Sequence, residues 1–73
     1  MHRIFVPCAE FDRLDYWLHH PRSVEDLHAM GDDLAAGVRI MLYNPAGEDR
    51  PARLRFQEEI NCWVAYPTPG IVG

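Results

Sequence analysis

From Val38 to Tyr66 the chain alternates apolar and polar residues in three short runs parted by turn-forming clusters. A period of two sends successive side chains to opposite faces, so this stretch is held to a sheet rather than a helix. In the first run Val38, Ile40 and Leu42 form one row and Arg39, Met41 and Tyr43 the other. In the second, Ala52 to Glu58, Leu54 and Phe56 oppose Arg53, Arg55 and Gln57, the pattern of a sheet with one face in water. Asn44 to Pro51 combines prolines with a glycine and reads as a long hairpin loop through which no strand runs. Alternation breaks at Glu58-Glu59-Ile60-Asn61, a second turn or a bulge, and Cys62 to Tyr66 resumes with strand-favouring aromatic and β-branched residues. One extra residue in that turn exchanges the faces, so the side taken by Trp63 stays open.

The first half follows a different rhythm. Ile4-Phe5-Val6 is a short apolar run stopped by Pro7, which suits a first or edge strand. Between Ala9 and His19, Phe11, Leu14 and Leu18 recur at helical spacing beside Trp17, which predicts a first helix ended by His20-Pro21. Ser23 is a suitable N-cap for a second helix, with Val24, Leu27 and Met30 as its apolar stripe, Gly31 as its C-cap and Leu34 as a core plug beyond it. The expected fold class is α+β: two short N-terminal helices packed on a three- to four-stranded antiparallel β-meander. It forms one domain over residues 1–66, followed by an extended or frayed tail over 67–73. The glycine-led opening of the meander at Gly37-Val38 resembles that of SH3-like small barrels, a shape that hosts many functions.

Composition narrows the functional classes. A chain of 73 residues that is 48% hydrophobic has enough apolar surface to close one core and little left for a catalytic pocket, so an enzyme is not expected. All seven basic residues are Arg, a bias that points to a GC-rich bacterial or phage genome. The net charge of −4 lies entirely in residues 1–37, so indiscriminate attraction to nucleic acid or to an anionic membrane is disfavoured. No apolar run is long enough for a membrane span and no signal pattern opens the chain, which places the protein in the cytoplasm.

Three sets of residues are candidates for function. Arg39, Tyr43, Arg53 and Arg55 on the polar sheet face, with Trp63, combine guanidinium groups and aromatic rings into an adhesive surface for a protein partner. Asp26, Asp32 and Asp33 offer an acidic helix surface, either a second docking face or the basis of an acidic inhibitor that imitates a nucleic-acid backbone, as in phages and mobile elements. Cys8, His19, His20, His28 and Cys62 are metal-ligand types, but with no Cys-x-x-Cys or His-x-x-x-His spacing a metal-binding protein ranks third. No cofactor is expected, and the two cysteines are expected to be free thiols. Sheet edges and the apolar Ile71-Val72 make a homo-oligomer a further expectation.

Overall fold

The computed structural model describes residues 2–9, 11 and 15–68. The alternating stretch folds as three antiparallel strands, β3 (Arg39–Tyr43), β4 (Asp49–Gln57) and β5 (Cys62–Pro67), with β4 in the middle. Two strands from the first half extend the sheet at its ends: β1 (Arg3–Phe5) pairs parallel to β3, and β2 (Tyr16–Trp17) pairs antiparallel to β5. The order is β1-β3-β4-β5-β2, a mixed sheet curled into a half-barrel. Among the described residues there is one α-helix, α1 (Pro21–His28).

Two N-terminal helices on an antiparallel meander is therefore the wrong architecture. The apolar spacing of Phe11, Leu14 and Leu18 suggested a helix, yet Tyr16 and Trp17 are extended against Ala65 and Val64, and Leu18 donates its N–H to the Trp63 carbonyl at 2.9 Å. Cross-strand pairing overrides a local pattern that only a few residues carry. Leu14 lies outside the described residues. His20-Pro21 does not close a helix but opens one: His20 is the N-cap, its Nδ1 accepting from the Arg22 N–H at 3.1 Å, and Pro21 follows at the position where a missing N–H costs nothing. Ser23, expected as the cap, is a buried residue of α1.

The hairpin between β3 and β4 is also tighter than the predicted Asn44–Pro51 loop. Asn44 folds it with its own side chain, accepting from the Glu48 N–H at 2.9 Å, and Gly47 supplies the positive φ of 83° that the turn requires. Strand β4 starts at Asp49 and includes Pro51, opposite Met41. Proline is tolerated there because its ring nitrogen faces away from β3, beyond the last register pair with β5. The second turn is a 3-10 segment, Glu58–Ile60, closed by Asn61 at φ 51°.

Register sorts the side chains. Ile4, Leu42, Ile40, Ala52, Leu54 and Ala65 share the inner face and are buried there with Val6, Leu18, Leu27 and Met30. Each large side chain fully buried in this way contributes roughly 1.5–3 kcal/mol of transfer free energy. Trp63 stands opposite Phe56, on the same side as Leu54, which settles the face that the sequence left open.

The free edge of β1 is sealed rather than open. In the parallel pairing Val6 donates to the Tyr43 carbonyl and Met41 to the His2 carbonyl, so the N–H and C=O of Phe5 point away from the sheet. Helix α1 lies along that edge, where Ser23 Oγ donates to the Phe5 carbonyl and Asp26 Oδ2 accepts from the Phe5 N–H at 2.9 Å. Ser23 and Asp26 are three residues apart and therefore share one side of α1, while Leu27 and Met30 reach the core. Two side chains thus supply the hydrogen bonds of a missing strand. Among the described residues no helix is long and apolar enough to cross a membrane.

Candidate functional site

Of the five arginines in the sheet, Arg3, Arg39, Arg53 and Arg55 project from the outer face, and only Arg50 shares the inner register with Leu42. The outer face divides into two ends. At the β1 end the Phe5 and Tyr43 rings meet edge-on at 5.6 Å, with Arg22 over Phe5 at 5.2 Å and Arg3 over Tyr43 at 5.1 Å. Arg3 is neutralised by Asp49 at 2.7 Å. The Tyr43 hydroxyl donates to Asp26 at 2.8 Å, which ties this end to the edge seal.

At the other end Arg39 stands directly opposite Arg53, and Arg53 in turn opposite Tyr66. Arg53 donates to the Gly37 carbonyl at 2.8 Å, which fixes its guanidinium without neutralising it. Arg55 lies 5.8 Å from the Tyr66 ring and pairs with Asp15 at 2.6 Å. Beyond it, Val64 is buried on this face next to Trp17, whose indole is 58% exposed. Two guanidiniums without a carboxylate partner among the described residues, a tyrosine ring and an exposed indole therefore share one end of the face.

The expected surface is thus rearranged. Arg39, Arg53 and Arg55 are brought together, but Tyr43 sits opposite Asp49 at the far end, and Trp63 is half-buried on the inner side against the core. Trp17, placed on a helix by the sequence reading, takes the aromatic position that Trp63 was expected to fill. No signal in the sequence marks it, because a strand of two residues has no period. Of the acidic set, Asp26 is spent on Phe5 and Tyr43, Asp33 meets His2 at 3.0 Å, and Asp32 is exposed on the 3-10 turn Gly31–Asp33. Both cysteines are free. His19, His28 and Cys62 border one groove, but among the described residues no three His, Cys, Asp or Glu side chains gather closely enough to hold a metal ion.

Burial raises the Tyr43 phenol above its ordinary pKa, and its hydrogen bond to the Asp26 carboxylate adds to the rise, against a smaller downward pull from Arg22. The unfolded chain therefore loses this proton first as the pH climbs past about 10. Stability held through the hydroxyl is whole below that pH and is lost as the pH rises through the higher folded value. Urea midpoints measured at neutral pH and above about pH 10 are expected to fall more in the wild type than in Tyr43→Phe. Equal falls would remove Tyr43 from the alkaline transition.

No protein-family model, no curated protein and no solved structure matches this chain.

Proposed function

We propose that the protein is a small, non-enzymatic interaction module that binds a carboxylate-bearing segment of a protein partner through Arg39, Arg53, Arg55, Tyr66 and Trp17. The observation that carries this reading is the direct cross-strand opposition of Arg39 and Arg53. Like charges directly opposite each other are destabilising, and among the described residues no carboxylate pairs with either guanidinium. A carboxylate seated between two guanidiniums turns the repulsion into paired, charge-assisted hydrogen bonds. Tyr66 and Trp17 add the rigid aromatic area on which binding hot spots are built.

A peptide fits this face better than a nucleic acid. A phosphate chain must approach a molecule of net charge −4, whereas a peptide brings a few carboxylates to one place. Asp15 and Asp49 also interrupt any continuous basic track across the sheet.

Selection from a random-peptide display library, with counter-selection on the R39E/R53E variant, tests the reading. Enriched peptides are expected to carry Asp or Glu beside an aromatic or aliphatic residue, and to bind the wild type at least about tenfold more tightly than the variant, a difference of about 1.4 kcal/mol. Recovery of peptides without acidic residues, or tighter binding of a single-stranded oligonucleotide, would contradict it.

A further inference from the structure

A second surface lies on the inner side of the sheet, beside α1. Between α1 and the β4–β5 turn runs a groove of about 360 Å³, floored by Leu18, Val24, Leu27, Leu34, Ile60 and Trp63. Its apolar floor does not end at the rim. Ile60 is 40% exposed, and Phe56, also 40% exposed, continues the strip through its edge-on contact with Trp63 at 5.3 Å. Contiguous apolar surface of this kind, unlike single exposed side chains, marks a place where something docks.

The exposed charge beside it is mainly acidic, with His19 and His28 in the groove wall and Arg55, already paired with Asp15, in a neighbouring hollow shared with Phe56, Glu58 and Glu59. Glu25 follows Val24 on α1, Glu58 and Glu59 precede Ile60 in the turn, all three are exposed, and among the described residues no arginine lines the groove. The outer sheet face carries the opposite character, so the two surfaces select different ligands.

We infer that this groove is a docking site for a short apolar segment of another protein flanked by Arg or Lys, separate from the carboxylate-binding face. The strip extends past the groove itself, which favours a peptide over a compact small molecule. The charge of the rim favours basic flanks over neutral ones.

The proteins for the test are the R39E/R53E variant, which disables the outer face, and the same variant with Trp17→Phe, which leaves Trp63 as the sole tryptophan. The probe is a labelled synthetic peptide repeating Arg-Leu-Leu, with a Glu-Leu-Leu control. The Arg peptide is expected to shift Trp63 emission and to bind at least about tenfold more tightly than the Glu peptide. Ile60→Asp, and separately E58K/E59K, are expected to weaken it by about tenfold or more. Ile60, Glu58 and Glu59 are exposed, so these variants keep the fold, which circular dichroism checks. Equal binding of both peptides, binding that survives Ile60→Asp, or no binding at all overturns the inference. So does a wild-type dimer that R39E/R53E dissolves and Ile60→Asp also dissolves, because the occupant is then a second copy's cationic face. Failure here leaves the outer-face reading standing, since that face is switched off throughout.

Discussion

Leu54→Ala is expected to lower the free energy of unfolding by about 2–5 kcal/mol, the range for emptying a buried leucine site. Leu54 is 0% exposed at the centre of β4, with Ala65 opposite on β5 and its N–H donated to the Val38 carbonyl at 3.1 Å. Strands hold it from both sides, so the neighbours cannot collapse into the space. A domain of this size is stable by only about 4–11 kcal/mol, at roughly 0.05–0.15 kcal/mol per residue, so one substitution removes a large share. Phe56, two residues further along the same face, is 40% exposed and serves as the control. Phe56→Ala is expected to cost less than half as much despite deleting a larger side chain. Urea denaturation of the two variants checks this, and equal losses would mean that the inner face is not sealed at Leu54.

Asp26→Ala is expected to cost about 2–3 kcal/mol, the range for hydrogen bonds to a charged group whose partners are then left unmade. Its carboxylate serves the Phe5 N–H and the Tyr43 hydroxyl with one oxygen, so removal leaves both without an acceptor. The consequence extends beyond stability. With the Phe5 N–H uncovered, β1 presents an edge that another strand can use, and the variant is expected to self-associate at concentrations where the wild type does not. Asp26→Asn keeps an acceptor oxygen and should lose about 1 kcal/mol, the net worth of an ordinary hydrogen bond. Sedimentation alongside urea denaturation separates the two effects. A variant as stable and as monomeric as the wild type would mean that α1 does not seal the sheet.

The readable part of the fold was the part whose pattern repeats. Val38 to Leu42 and Ala52 to Phe56 alternate over enough residues for the period of two to define a face, and Ile40, Leu42 and Leu54 are buried as that pattern requires. Strand β2 was misread because Phe11, Leu14 and Leu18 mimic a helical stripe while Tyr16-Trp17 is too short to show any period. The parallel pairing of β1 with β3 joins Arg3 to Met41 across the length of the first half, and no local signal announces it. Pro21 reads equally well as the end of one helix or the start of another. Only the placement of His20 as its cap decides.

The site was legible in its residue types and not in its layout. Alternation put Arg39, Arg53 and Arg55 on one face, but which residues of β3 and β4 stand opposite depends on the hairpin, and the tight turn at Asn44–Gly47 sets Arg39 against Arg53 and carries Tyr43 to Asp49. In the sequence Asp26 reads as part of an acidic helix surface. Its role as a strand cap exists only because α1 runs along the edge of β1.

Chemical-shift mapping of the isotope-labelled protein with the tightest acidic peptide from the library tests the central claim most directly. The account predicts that the perturbed signals are the amides of Arg39, Arg53, Arg55 and Tyr66, with the Trp17 indole, and that Trp63, Ile60 and Glu58 stay still. Perturbations gathered at Ile60 and Trp63, or at Asp32 and Asp33, with the Arg39–Arg53 row unmoved, would contradict it.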